Sequence, residues 1–449
     1  MQETKDLAKF LADLSFTRIP SSVLARAEDL CLDWLASVLA SQGLRPIPLF
    51  EQYAALMGPS SGTAAILTTQ TSSSPYFAAL VNGAAGHLVE QDDLHNSSVL
   101  HPAAVVFPAA LAAAQDKGCS GQEFLVAVVA GYEAGIRIAE FLGRSHYKIF
   151  HTTATVGTLA AAVAVGKLLK FNAEQFLHVL GNAGTQAAGL WEFLRDAADS
   201  KQLHTAKAAA DGLLAAYLTE QGLTAAQNIL QGEQGMAAGM SSDADARYLN
   251  NRLFERWALN ETSFKFHASC RHTHPAADAL LDVMQRHQLP YEQIEKITCF
   301  VHQAAIDVLG RVDEPQTVHQ AKFSMGTVLG LIAVHGKAGL PEFAELALTD
   351  PNVSAIRQSV SMQLCPSIDA AYPKQWMGHV QITTRDYGVL IGKVTYPKGD
   401  PENTLSRAEL EDKFTRLMAF SQARPEHERQ RLTQLIWQLQ QQADLSQLI

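Results

Sequence analysis

Apolar residues recur at the spacing of an α-helix through most of the first 260 positions of the chain. The first apolar helical face is formed by Leu7, Phe10, Leu11 and Leu14. The same spacing after Pro20 predicts a second helix that runs to about residue 40. Residues 155–169 are rich in alanine and valine all round, which predicts a helix buried on every side.

Polar residues mark where several of these helices begin. Capping-box pairs predict three helix starts: Ser120 with Glu123, Asn172 with Gln175, and Thr224 with Gln227. Pro102 stands at a predicted first helical position, which makes His101 the expected N-cap. Helical patterns over 202–221 and 243–257 complete a domain that we expect to be all-helical, over residues 1–259.

The pattern changes near residue 260. Residues 294–305 alternate as a strand does, and two further strands, Val380–Thr384 and Val389–Thr395, predict a hairpin that turns at residues 386–388. Helical segments are predicted at 275–287, 320–336, 340–346 and 350–360. The expected fold is therefore mainly α: a large all-helical domain, a smaller α+β domain over 260–404, and helices over 405–449 that return to the helical domain.

Composition and charge narrow the class of protein. The chain has 449 residues and a net charge of −10, which argues against a nucleic-acid partner because such proteins show a basic face. Its five cysteines are scattered without a CxxC pair, as is typical of reduced thiols in a cytoplasmic protein. We find neither an apolar signal core near Met1 nor an uninterrupted run of ~18 apolar residues, so no membrane association is expected.

One stretch, residues 87–102, concentrates ionisable side chains between two apolar runs. It holds three carboxylates and three histidines: Glu90, Asp92, Asp93, His87, His95 and His101. Removing such groups from water costs free energy unless they are paired, metal-bound or chemically active. We interpret this stretch as the floor of an active site.

Other segments carry residues that suit an anionic substrate. The run from Cys270 to Pro275 places Arg271, His272 and His274 beside a predicted helix start, where backbone N–H groups favour anions. Further candidates next to apolar helices are Tyr147, His151, Lys201 and Lys265. A half-buried lysine can neutralise a carboxylate or act as a base.

A divalent metal is the alternative for the first stretch. Its ligands would be Asp92, Asp93, His95 and His101. However, the chain has no HExxH spacing, and it has neither a P-loop nor a GxGxxG after a strand, so the sequence indicates no metal and no nucleotide cofactor.

Five blocks of this sequence resemble the MmgE/PrpD family. They are His87-Leu-Val-Glu-Gln-Asp-Asp-Leu-His with His101-Pro102, the run from His146 to Gly157, Lys201-Gln-Leu-His-Thr-Ala-Lys-Ala-Ala, Lys265 through Cys270-Arg-His-Thr-His-Pro, and Tyr396-Pro-Lys-Gly-Asp-Pro401. Departures from the family pattern include Glu90 for an aspartate, Leu94 for a threonine and Ala206 for a glycine.

The resemblance implies a site between the two domains, a homodimer, a small polycarboxylate substrate, and no metal or other cofactor. By matching position, it implies catalytic roles for Asp93, His101, Tyr147, His151, Lys201 and Lys265. It implies substrate-binding roles for Glu90, His95, Arg271, His272 and His274.

The family's reactions all move a proton at a carbon next to a carboxylate. The site must therefore stabilise developing negative charge and supply a base and an acid. We expect dehydration of a citrate-like or 2-methylcitrate-like substrate. Decarboxylation of the cis-aconitate type and epimerisation of an iminodisuccinate-like substrate stay open, as does a non-catalytic protein that only binds polycarboxylates.

Overall fold

The computed structural model describes residues 2–196, 198–310 and 312–448. The chain divides into two compact units, one of Met1–Thr262 with Ser406–Ile449 and one of Ser263–Leu405. We call the first the helical unit and the second the mixed unit. No helix in the described residues is both long and apolar enough to cross a membrane.

In its described residues, the helical unit begins with eleven α-helices and short strands. The helices are α1 (Gln2–Asp13), α2 (Ser21–Ala40), α3 (Ile47–Met57), α4 (Pro75–Leu88), α5 (Ala103–Lys117), α6 (Gly121–Tyr147), α7 (Thr152–Leu168), α8 (Ala173–Gly184), α9 (Phe193–Asp196), α10 (Ser200–Glu220) and α11 (Met236–Met240). The strands are β1 (Ala64–Ile66) and β2 (Thr71–Ser73), which pair antiparallel, and β3 (Leu94–His95).

Helix α7 lies at the centre of this unit, packed against α5, α6, α8 and α10. Every residue of α7 except Lys167 is buried, which confirms the prediction of a helix that is buried on every side. Small side chains allow the close approach of α10. A Cβ atom at Gly212 would lie 2.6 Å from the carbonyl oxygen of Thr158, so only glycine fits there.

The predicted helix starts have mixed outcomes. Ser120 and Asn172 form complete capping boxes at α6 and α8, as predicted. The predicted start at Thr224 is wrong, because the chain beyond it makes turns. The predicted helix over 243–257 is also wrong: the chain forms one 3-10 turn at Ala246–Tyr248 and then further turns.

The mixed unit contains a four-stranded sheet. The short strand β4 (Thr262–Ser263) precedes this sheet in the chain and is not part of it. The mixed unit forms its sheet from β5 (Ile294–Val301), β6 (Val360–Leu364), β7 (Gly378–Thr384) and β8 (Val389–Val394). Its helices are α12 (His274–His287), α13 (Gln303–Leu309), α14 (Val318–Ala321), α15 (Met325–His335), α16 (Leu340–Glu345), α17 (Pro351–Ser359) and α18 (Pro366–Ala371).

The sheet of the mixed unit has the order β6-β5-β7-β8. Strands β5 and β6 are parallel, whereas β7 is antiparallel to both β5 and β8. Buried residues of β7 alternate with partly exposed ones, so one face of this strand is buried. Helix α12 packs on β7 and β8. The hairpin that joins β7 to β8 confirms the predicted turn.

Two helices, α19 (Arg407–Ser421) and α20 (Glu426–Trp437), return to the helical unit, where both pack on α2. Ser406 begins α19 with a complete capping box. The predicted fold class, mainly α with a smaller α+β part, is confirmed.

Candidate active site

The segment Glu90–Asp93 follows the end of α4 and is buried throughout. Each of its four residues is held by a different part of the helical unit: Glu90 by Lys201 of α10, Gln91 by Lys413 of α19, Asp92 by His87 of α4, and Asp93 by Tyr132 of α6. We call this segment the acidic segment. Four anchors on four helices fix its backbone and side chains together.

One carboxylate oxygen of Asp92 faces two histidines. It lies 2.7 Å from Nδ1 of His87 and 3.2 Å from Nδ1 of His101. The two imidazole rings meet edge to face, with centroids 4.7 Å apart. Asp92 therefore orients both rings.

His101 has a defined tautomer. Its Nδ1 lies 2.6 Å from the backbone carbonyl oxygen of Asp93, which can only accept a hydrogen bond, so Nδ1 carries the hydrogen. In the neutral ring, Nε2 then holds the lone pair that accepts a proton. The side chain keeps 13% of its surface exposed, whereas those of Asp92 and His87 have none.

Asp93 caps helix α5. Its Oδ1 accepts the backbone N–H of Ala103 at 3.0 Å, and Tyr132 donates its hydroxyl to Oδ2 at 2.7 Å. The N-cap position itself belongs to Pro102, so the expectation that His101 is the N-cap is wrong. The side chain of Asp93 takes over the capping, which leaves the His101 ring available for the site.

Lys201 and Glu90 form an ion pair in which both side chains are buried. Glu90 adopts a left-handed backbone conformation with φ of 58°. This conformation is uncommon for a residue with a side chain, and strain of this kind concentrates at functional sites. The pair brings a cation from α10 to the acidic segment.

His151 lies next to this cluster at the start of α7. Its ring stacks on that of His87 at 5.7 Å between centroids, and its Nδ1 lies 3.1 Å from Nδ1 of His204. Trp191 packs on it at 4.6 Å between centroids, and Tyr147 contacts Trp191 edge to face at 5.1 Å. Tyr147 therefore reaches the histidines through one intervening aromatic ring.

Burial sets the charge state of these groups. It lowers the pKa of His87 to about 4, although the carboxylate of Asp92 opposes the shift. Burial, reinforced by His204, His87 and Lys201, lowers the pKa of His151 well below its ordinary value. Burial raises the pKa of Asp93 well above its ordinary value. At neutral pH, His87 and His151 are therefore uncharged.

His95 lies in a different polar cluster of the helical unit. Its Nδ1 lies 2.9 Å from the hydroxyl of Ser98, and its Nε2 lies 3.4 Å from a carboxylate oxygen of Glu261. Arg256 connects this cluster by donating to Glu261 and to Glu140. The structure thus separates His95 from the cluster of His87, His101 and His151.

The remaining predicted site residues belong to the mixed unit and are all buried: Lys265, Arg271, His272 and His274. Arg271 forms an ion pair with Asp400 and donates to Nδ1 of His274 at 3.2 Å. That contact makes Nδ1 of His274 the acceptor, so Nε2 carries the hydrogen and donates to the carbonyl of Ser269 at 3.3 Å. Burial and the neighbouring Arg271 lower the pKa of His274 well below its ordinary value.

His272 packs among aromatic rings of the mixed unit. Its ring stacks on Trp376 at 4.8 Å and lies 5.1 Å from that of His302. Arg271 and His274 thus form one polar cluster with Asp400, while His272 contributes to an aromatic one.

Among the described residues, two groups bring metal-ligating atoms within 4.8 Å of one another: His87, Asp92 and His101, and His95, Glu140 and Glu261. In the first group the ligand atoms already contact one another at hydrogen-bond distance. In the second, Arg256 occupies the place of a cation between the carboxylates. Asp93 belongs to neither of these two groups, because its carboxylate oxygens accept hydrogen bonds from Ala103 and Tyr132.

Several residues of the cluster had no catalytic or substrate-binding role assigned from the sequence. His87 and Asp92 lie in the stretch interpreted as the floor of the active site, and His204 lies in the block that contains Lys201, so the sequence indicated their neighbourhood but not their roles. Lys413 also donates to the carboxylate of Asp33. Neither residue had a signal of this kind, because each is far from the other and from Gln91 in the sequence.

Two family models match this chain, and they meet near residue 260, where the mixed unit begins; the second match also includes α19 and α20 of the helical unit. The sequence model of the MmgE/PrpD N-terminal domain matches residues 5–249, and that of the MmgE/PrpD C-terminal domain matches residues 267–439. Together these two matches account for most of the sequence.

Curated relatives match over nearly the full length. A cis-aconitate decarboxylase-like protein of Aspergillus oryzae is 26% identical, over 99% of this chain and 96% of its own length. The cis-aconitate decarboxylase of Aspergillus terreus is 26% identical over 89% of this chain and 86% of its own. The human cis-aconitate decarboxylase is 24% identical over 92% of this chain and 86% of its own.

Proposed function

The chain belongs to the MmgE/PrpD family, and from that premise we propose that it is a lyase that acts on a small polycarboxylate without a cofactor. Its first candidate reaction is loss of a carboxylate from an unsaturated tricarboxylate of the cis-aconitate type. The full-length relatives named as cis-aconitate decarboxylases support this choice over the dehydration that we expected from the sequence.

The arrangement of His101 carries the proposal. Its Nδ1 is fixed by the Asp93 carbonyl and by Asp92, and its ring is partly exposed. We therefore assign proton exchange with the substrate to Nε2. A histidine held in one tautomer beside a carboxylate is suited to acid–base chemistry near neutral pH.

In the proposed decarboxylation, the carbon–carbon bond to one carboxylate breaks and carbon dioxide leaves. The electron pair of that bond forms a new double bond to the neighbouring carbon. The electron pair of the original double bond moves to its far carbon, and that carbon takes up one proton. We assign that proton to Nε2–H of a protonated His101, which becomes neutral and regains a proton from solvent. Carbon dioxide leaves as a neutral molecule and its bonding electrons stay on the substrate, so the charge of the substrate changes only when it takes up the proton, by one unit.

Negative charge on the substrate requires nearby cations. In the helical unit, Lys201 supplies a buried ammonium group next to the histidine cluster. We propose that Lys265 and Arg271 also bind substrate carboxylates, as the family resemblance implies. Replacing either should raise KM for a tricarboxylate more than it lowers kcat, if they bind ground state and transition state alike.

Dehydration of a citrate-like or 2-methylcitrate-like hydroxy acid is the second candidate. It needs one group that removes a proton and another that protonates the leaving hydroxyl. The ion pair of Glu90 with Lys201 offers both a carboxylate and an ammonium group at one point. Epimerisation of an iminodisuccinate-like substrate uses the same proton removal followed by return of the proton to the opposite face.

Product analysis separates these reactions. The purified protein is incubated with cis-aconitate, citrate, 2-methylcitrate and iminodisuccinate in turn, and products are followed by NMR. Decarboxylation releases one carbon dioxide per product molecule, dehydration creates a double bond from a hydroxy acid, and epimerisation changes only configuration. Turnover of none of the four would overturn the proposal, and tight binding without turnover would instead indicate a polycarboxylate-binding protein.

We also propose that the protein is a homodimer. The α3 helix presents four apolar side chains that are 49–79% exposed: Leu49, Tyr53, Leu56 and Met57. Exposed apolar patches of this kind commonly mark protein interfaces. Light scattering during gel filtration should give twice the mass of 48.7 kDa, and Leu56→Glu should give the monomer mass.

A further inference from the structure

Lys413 is the residue of α19 that contacts the acidic segment. Its side chain is 3% exposed, and its Nζ donates to the backbone carbonyl of Gln91 at 2.7 Å and to a carboxylate oxygen of Asp33 at 2.6 Å. All three residues belong to the helical unit. We propose that Lys413 is a positioning residue, which sets the place of Asp92 and thereby the orientation of the His87 and His101 rings.

Position in the chain supports this role. Gln91 stands between Glu90, which is paired with Lys201, and Asp92, which contacts both histidines. A shift of the Gln91 carbonyl moves the peptide unit that leads directly to Asp92. Glu90 has the left-handed conformation, so the backbone at this point requires external contacts to keep its shape.

The free-energy cost of burying its ammonium group also distinguishes Lys413 from an ordinary core residue. Burying an ammonium and a carboxylate removes both from water, and an apolar pair of similar size is often as stable or more stable. The pair of Asp33 and Lys413 is therefore poorly explained by stability alone. What an apolar pair cannot supply is the hydrogen-bond donor for the Gln91 carbonyl.

The inference rests on the proposed function, since it concerns the same histidines. Its test replaces the ion pair by apolar residues of similar length, Asp33→Leu with Lys413→Met. The matched control is Asp412→Leu with Arg416→Met, an exposed ion pair on the same helix. Thermal unfolding, kcat and KM with cis-aconitate, and the ring ¹⁵N signals of His87 and His101 in the ligand-free protein are measured for each.

We expect the double variant at Asp33 and Lys413 to unfold at a temperature close to that of the unaltered protein. Its kcat should fall roughly 10- to 100-fold, because small displacements of catalytic groups have effects of that size. The ¹⁵N signals of His87 and His101 should shift, whereas the control pair should change neither kcat nor these signals. Unchanged kcat and unchanged histidine signals in a folded double variant would overturn the inference.

Two further outcomes are separable. If the unaltered protein turns over none of cis-aconitate, citrate, 2-methylcitrate and iminodisuccinate, the proposed function fails, and the histidine signals alone decide whether Lys413 positions the rings. If the apolar pair does not fold, Asp33→Asn with Lys413→Gln takes its place. Its shorter amide should also lose the Gln91 contact and lower kcat, and normal kcat in that folded variant would count against the role.

Discussion

Oδ2 of Asp92 lies 2.7 Å from Nδ1 of His87, and neither side chain is exposed. The same oxygen lies 3.2 Å from Nδ1 of His101, whose side chain is partly exposed. A single buried carboxylate thus links a histidine of the interior with one that can meet a substrate. This relation makes Asp92 the first position at which the proposed chemistry can be tested.

Asp92→Asn should lower kcat by about 10²-fold or more, the usual range for losing a correctly placed acid–base group. The amide would place an N–H group or a weaker acceptor opposite two ring N–H donors, which disturbs the tautomer of His101. Steady-state kinetics with cis-aconitate measures the effect. Asp282→Asn, which alters an exposed pair with Arg286 on α12, should leave kcat unchanged.

His101→Ala should lower kcat by about 10²- to 10⁴-fold if Nε2 exchanges the proton with substrate. The effect should appear in single-turnover experiments with cis-aconitate, because it concerns the chemical step. His427→Ala, at an exposed histidine of α20, serves as the control. A rate near that of the unaltered protein would assign the proton transfer to another group.

Lys201→Met should lower the free energy of unfolding by about 3–5 kcal/mol, because it leaves the buried carboxylate of Glu90 without its cation. The double variant Glu90→Gln with Lys201→Met should recover most of that loss while remaining inactive. Urea unfolding measures both values. The more exposed pair of Lys117 and Glu220 should contribute only about 0–1 kcal/mol, and an equal loss there would contradict the explanation.

The stability of the protein should depend on His146. Burial lowers the pKa of His146 to about 4 in the folded protein, from 6.5 in the unfolded chain. Between pH 4 and pH 6.5 the unfolded state therefore binds more protons than the folded state. The contribution of neutral His146 to the free energy of unfolding is complete above pH 6.5 and is lost as the pH falls towards 4.

The measurement compares unaltered protein with His146→Gln. The difference between their free energies of unfolding should shrink as the pH is lowered from 7.5 to 4.5. Taking this difference cancels the contributions of the other titrating groups, which both proteins share. A difference independent of pH would show that His146 titrates alike in both states.

Removal of metal should leave activity unchanged. Among the described residues, the ligand atoms of His87, Asp92 and His101 contact one another, and Arg256 neutralises Glu140 and Glu261. Dialysis against a chelator followed by activity measurement and elemental analysis tests this expectation. Stoichiometric metal, with activity lost on its removal and regained on its return, would contradict it.

Local signals predicted the helices best. The capping boxes at Ser120 and Asn172 form within four residues, so the sequence shows both partners. Thr224 has the same pattern but is followed by glycines at 232 and 235, where turns form. Arg252 and Phe254 have positive φ angles of 52° and 64°, which the helical pattern over 243–257 did not indicate.

Contacts between distant residues could not be predicted from local pattern. The carboxylate that caps α5 comes from Asp93, ten positions before Ala103, so the sequence pointed to the neighbouring His101 instead. Lys201 and Glu90 are 111 positions apart, and only the arrangement of α10 against α4 brings them together. The sequence thus indicated which segments bring ionisable side chains into the interior, whereas the partners of those side chains depend on packing.

The return of α19 to the helical unit has a consequence for synthesis on the ribosome. Residues 406–449 are translated after the whole mixed unit, yet they cover α2 and supply the donor for Gln91. In a nascent chain that has emerged only to residue 405, Asp33 therefore lacks the ammonium group of Lys413. The protein can acquire its final arrangement only after those last helices have left the exit tunnel, so premature termination within them yields chains with an incomplete interior that quality-control proteases can recognise.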